Sequence, residues 1–138
     1  MELFTLENDI HVIGLHVENF PLGIPEAIDK IHSAFSNGKS LPLYSRSQPV
    51  GGEIQYFIGV EINNLEVSEK LGFVHFVIES GSYLAQNIVD WQGKVQSIQR
   101  VFDELLNDNR LDPNGYCVEL YKNDKELVCM VKLGNELL

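Results

Sequence analysis

An antiparallel α+β fold is what this chain predicts, and three observations carry that expectation. The order strand, helix, strand, strand occurs twice along the sequence. Two segments repeat apolar residues at helical spacing. The other apolar runs alternate with period two and are broken by Gly, Pro, Asn and Asp. Such an order suits an antiparallel sheet with helices on one side.

The first strand is expected at Ile10–Glu18, rich in β-branched residues, with Ile13, Leu15 and Val17 on one face. Pro21 and Gly23 mark a turn, and Pro25 and Glu26 then suit the first turn of a helix. Ile24, Ala27, Ile28, Ile31 and Phe35 form its apolar stripe, and Asn37-Gly38 is its stop signal. Lys39–Glu53 reads as a looser stretch with one short strand at Leu43–Ser45. Strands follow at Ile54–Ile62 and Phe73–Glu79, separated by a polar loop. Ser80-Gly81-Ser82 reads as a break. A long helix is then expected from Ala85 or Ile88 to Leu106, with Trp91, Val95, Ile98, Phe102 and Leu105 as its stripe. The chain closes in a hairpin of Tyr116–Tyr121 and Glu126–Leu133. Centring its turn on Asn123-Asp124 pairs Val118 with Cys129 and Glu119 with Val128. That register puts Cys117 and Cys129 on opposite faces, where they cannot bond.

The chain has 138 residues, 44% hydrophobic and 22% charged, which suits a single domain over 1–138 with its own core. Its formal charge of -10 repels phosphate backbones, so no direct nucleic-acid binding is expected. No apolar run approaches the ~20 residues of a membrane span, and no leader pattern opens the chain, so the expected location is cytoplasmic. His11 and His16 point to opposite faces of a strand, and no His-x-His or Cys-x-x-Cys spacing occurs. Neither a metal site nor a cofactor is expected. Phosphate-loop, dinucleotide and nucleophile-elbow motifs are also absent.

The informative residues are those expected on the strand faces turned from the helices: His16, Phe57, Glu61, Phe73, His75, Val77, Cys117, Glu119, Tyr121, Val128 and Met130. A solvated sheet face would carry Thr, Lys, Glu and Ser. Aromatic walls with a few polar groups compose a ligand cleft instead. A carboxylate among aromatics suits a lipophilic cation, through ion pairing and cation–π attraction. The plain alternative is an ordinary half-exposed face, or one that meets a partner subunit.

Five segments in order resemble the gyrase-inhibitor-like (GyrI-like) effector-binding domains, also known from bacterial transcription activators and from stand-alone integron-associated proteins. They are Val12–Val17, Gly23–Ile28, Tyr56–Glu61, Ser80–Tyr83 and Tyr116–Tyr121. The resemblance implies two strand-helix-strand-strand units, over about residues 1–65 and 66–138, related by a pseudo-twofold with a central cleft between them. It implies that Glu119 is the ligand carboxylate, with Tyr83 and Trp91 as aromatic neighbours. The candidate ligand-binding set is Glu119, Tyr83, Trp91, Tyr121, Phe57, Glu61, His75 and Phe73. The family's regulators carry an attached helix-turn-helix, and these 138 residues leave no room for one, so none is expected here. The chain also reads Gln99-Arg100-Val101-Phe102 where many members carry a second tryptophan.

Three functions follow. The first is a binding protein for a small organic ligand, cationic or aromatic. The second is a hydrolase of electrophilic small molecules, with Glu119 as general base and Tyr83 or Tyr121 positioning water. The third is a gyrase-inhibitor-like module that meets a protein partner through its acidic surface. A monomer and a homodimer both fit the sequence.

Overall fold

The computed structural model describes residues 1–35, 41–61 and 72–134. Eight strands form one antiparallel sheet: β1 (Glu2–Leu6), β2 (Ile10–Val17), β3 (Leu43–Val50), β4 (Glu53–Glu61), β5 (Val74–Ile78), β6 (Gly81–Val89), β7 (Cys117–Tyr121) and β8 (Glu126–Lys132). Helix α1 spans Ile24–Ala34. Helix α2 spans Val95–Leu105 and follows a 3-10 turn at Trp91–Lys94. The fold is α+β, as expected. The expected Asn37-Gly38 stop and the polar loop from 63 to 71 lie outside the described residues.

The strand order is β1-β6-β8-β7-β3-β4-β2-β5. Exchanging β1–β4 for β5–β8 reverses this order and leaves it unchanged. The sheet therefore has a pseudo-twofold between β3 and β7, and each half lends its first strand to the edge of the other. Both helices lie on one face. Ala27 and Ile31 of α1 pack with Tyr56, Ile58 and Val60. Leu105 of α2 packs with Leu84, Leu127, Cys129 and Val131.

No helix covers the opposite face among the described residues, yet its core is buried. Val12, Phe76, Ile78, Tyr83, Val118 and Met130 form one cluster there, joining β5 at one edge to β6 near the other. The sheet curls into a half-barrel with this face inside. Gly14 and Gly59 stand opposite each other in register. A Cβ on Gly14 would lie 1.9 Å from the Ile58 carbonyl oxygen, and one on Gly59 would lie 2.1 Å from that of Ile13. Two side-chain-free residues let the β2 and β4 backbones close on each other, which a curl of this kind requires.

Several sequence expectations change. Ala85–Val89 is not helical. It belongs to β6, a long strand paired along its length with β8. Its alternation was masked by the helical stripe that starts at Trp91. β1 was not anticipated. β3 is longer than the expected fragment and turns directly into β4 through Gly51 and Gly52, whose φ angles are +60° and +85°. Two positive φ values in a two-residue turn match the twist of a hairpin. The β7–β8 register is shifted by one: Glu119 faces Cys129 and Val118 faces Met130. Lys122 N–H bonds the Glu126 carbonyl, and the Asn123 side chain accepts from the N–H groups of Lys125 and Glu126. The turn thus holds three residues rather than two. The shift moves Cys117 and Cys129 to the same face. Both are free thiols.

The shift carries the Glu119 face of β7 to the helix side, and the β2–β5 register separately places His75 and Val77 there. The single ligand face of the sequence reading divides in two. Glu119, Tyr121, Cys117, Phe73, His75 and Val77 lie on the helix side. His16, Phe57, Glu61, Val128 and Met130 lie on the concave side.

Candidate functional site

α1 rests on β2 and β4, and α2 on β6 and β8. The central strands β3 and β7 run between them. Glu119 rises from β7 on that strip, 8% exposed. Its Oε1 accepts from Ser45 Oγ at 2.9 Å and from the Tyr56 hydroxyl at 2.7 Å. Its Oε2 accepts from the Tyr121 hydroxyl at 2.9 Å. No Lys, Arg or His lies within ion-pair distance of it among the described residues. A buried carboxylate with hydroxyl donors and no fixed counter-ion is an unusual arrangement, because burial of unpaired charge is costly.

The donors are locked in their protonated state. Burial raises the Tyr56 hydroxyl well above the ordinary phenol range, and the charge on Glu119 raises it further. Tyr121 is raised by the same two causes in the same order. Burial and Glu119 also push the Cys117 thiol up to about 11, and these two together with Cys117 push Cys129 up to about 12. Neither thiol is a ready nucleophile near neutral pH.

Two aromatic pairs flank the carboxylate. The Phe20 ring lies 5.0 Å from Tyr56, and Trp91 meets Tyr121 edge-on at 5.1 Å. Phe20 stands four residues ahead of α1, and Trp91 four ahead of α2. Each half therefore supplies an aromatic at its helix entrance, leaning on a tyrosine that donates to Glu119. Trp91 is anchored by its indole N–H on the Asn123 carbonyl at 3.2 Å. The Phe20 loop is tied by Gly23 N–H on the Asn19 carbonyl at 2.6 Å.

Of the sequence-derived candidates, Glu119, Tyr121 and Trp91 come together here. Phe73 packs against Phe35 beside α1. His75 stacks on His11, their ring nitrogens 3.0 Å apart, near the sheet edge. Glu61 is exposed at the end of β4. Tyr83 and Phe57 lie on the concave face. The Tyr83 hydroxyl bonds the Glu79 carbonyl and the Tyr116 hydroxyl, and Phe57 packs between His16 and Phe76. Ser45, Tyr56 and Phe20 were not among the candidates. The matched spacing of Phe20 and Trp91 from their helices is the signal that could have found Phe20.

The described residues contain no group of His, Cys, Asp or Glu able to hold a metal. No helix among them is long and apolar enough to cross a membrane.

Similar folds are known. An integron cassette protein from the mobile metagenome of Vibrio cholerae superposes with a TM-score of 0.68 at 13% identity, covering 96% of this chain and 95% of that one. SAV2435 bound to tetraphenylphosphonium superposes at 0.64 and 12% identity, covering 98% and 94%. A bacterial transcription regulation protein from Staphylococcus aureus superposes at 0.57 and 13% identity, covering 95% and 97%. At these identities the likeness is one of fold. No curated protein matches the chain in sequence. Residues 7–133 match the sequence profile of the Cass2 family, and the chain belongs to that family of integron-associated effector binding proteins.

Proposed function

We propose that the chain binds lipophilic aromatic cations between α1 and α2, with Glu119 neutralising the charge and the Phe20–Tyr56 and Trp91–Tyr121 pairs as walls. The observation that carries this reading is the buried carboxylate held by three hydroxyls, with no Lys, Arg or His in ion-pair distance among the described residues. The hydroxyls stabilise its charge but leave it uncompensated. A cation shielded by aromatic rings cannot reach hydrogen-bond distance. It needs only a fixed negative charge in a poorly solvated site, where Coulomb attraction is less screened than in water. The aromatic walls then add cation–π attraction and cover apolar surface. The net charge of -10 steers cations toward the protein. The structural neighbour bound to tetraphenylphosphonium supports the same ligand chemistry.

Trp91 is the single tryptophan and reports directly on the site. Tetraphenylphosphonium should change its fluorescence saturably, and the near-isosteric anion tetraphenylborate should not. Glu119→Gln should weaken the cation by about tenfold or more. Equal response to cation and anion, or an unchanged affinity in the variant, would refute the role given to Glu119.

A further inference from the structure

The concave face holds a second polar cluster, of opposite sign. Arg46 leaves β3 on that face, and its guanidinium carbon lies 3.7 Å above the Tyr116 ring. One amino group donates to the Val77 carbonyl on edge strand β5. The other makes a long contact, 3.4 Å, with Gln48 Oε1. Among the described residues no carboxylate lies within ion-pair distance of it. A guanidinium has more N–H donors than these two contacts use.

Beside it is a cavity of about 180 Å³ lined by Arg46, Gln48, Gln55, Phe57 and Phe76. Arg46, both glutamines and Phe57 are half-buried, and Phe76 is buried. Gln48 turns its oxygen toward the guanidinium, so its amide N–H groups point away. Beside the guanidinium the two phenyl rings form an apolar wall, 5.6 Å apart between centroids.

We propose that this cavity binds a small organic monocarboxylate, its carboxylate on Arg46 and the Gln55 amide and its apolar tail against Phe57 and Phe76. A planar guanidinium fork matches a carboxylate in shape as well as charge. Partial burial strengthens that pair relative to water. The apolar wall has no use for a fully hydrated inorganic anion. The net charge of -10 disfavours dianions more than monoanions. This site shares no residue with the Glu119 site and lies on the other side of the sheet.

The test is a titration of the isotope-labelled protein with sodium benzoate, benzamide and inorganic phosphate, followed by backbone amide NMR shifts. Benzoate should saturate shifts in β3, β4 and β5 around Arg46, Gln55 and Phe76, and benzamide, its neutral isostere, should bind at least about tenfold more weakly. Arg46→Gln should abolish the benzoate response. Arg46 also ties β3 to β5, so Gln55→Glu is the second variant. It keeps Arg46 but places a competing carboxylate in the cavity, and it too should abolish the response. Glu119→Gln should leave benzoate binding unchanged, so this proposal and the cation reading fail separately. Equal binding of benzamide and benzoate, tighter binding of phosphate, shifts confined to the helix side, or benzoate binding retained in folded Gln55→Glu would each overturn it.

Discussion

Ser45 and Glu119 face each other across the central β3–β7 pair, and one hydroxyl serves both the side chain and the backbone of its partner. Ser45 Oγ donates to Glu119 Oε1 at 2.9 Å and accepts from the Glu119 N–H at 3.2 Å. The two residues come from different halves of the sequence, 74 positions apart. The carboxylate is thus held on the pseudo-twofold by the strand pair that joins the halves.

Ser45→Ala removes a donor from a buried carboxylate and an acceptor from its backbone N–H. It should cost about 2 kcal/mol of stability, as a lost hydrogen bond to a charged group does. Urea unfolding would show a lower midpoint at unchanged slope. An unchanged midpoint would mean that Tyr56 and Tyr121 suffice.

Phe20→Ala and Trp91→Ala should each weaken tetraphenylphosphonium by roughly 3- to 30-fold, the range of a partly desolvated cation–π contact. Calorimetry is the appropriate readout, because the second variant loses the fluorophore. A loss confined to Trp91→Ala would show that the site is one-sided and that the matched placement of Phe20 is only structural.

Gly14→Ala should be severely destabilising, at about 3 kcal/mol or more, because the added Cβ meets backbone that no rotamer change can move. Gly51→Ala makes no contact within 4 Å, and its cost is only that of a positive φ. It should be milder, at about 1 kcal/mol. Thermal unfolding of the two variants side by side checks the order.

Raised thiol pKa values predict alkaline sensitivity. Cys117 and Cys129 ordinarily titrate near 9.0, and the fold pushes them to about 11 and about 12. Above 9.0 the unfolded chain loses these protons while the folded chain keeps them. The contribution is therefore complete below pH 9.0 and is lost as pH rises through the folded values. Melting temperature should fall from about pH 9 upward, and less steeply in Cys129→Ser. Equal slopes in the two proteins would assign the loss to other groups, such as Tyr56 and Tyr121.

The sequence by itself determined the two helices, most of the strands and the fact of a duplication, because each rests on local periodicity and turn residues. It missed β1 and β6, so each half has two strands before its helix and not one. Pro25 opened α1 where expected, and the alternation of Ile10–Val17 placed β2. It also singled out Glu119, through a resemblance spread over five segments. Tertiary structure decided which face that carboxylate occupies. A strand's period is two, so a single residue of turn length moves every side chain across the sheet. The Asn123 side chain added that residue to the β7–β8 turn. Tertiary structure also decided the company Glu119 keeps. Ser45 and Tyr56 arrive from strands separated from it by more than sixty positions, and contacts that long leave no local pattern to read. The curl was likewise hidden. Gly14 and Gly59 look like weak points in two strands until the register sets them face to face, where the absence of both side chains lets the sheet bend into a half-barrel.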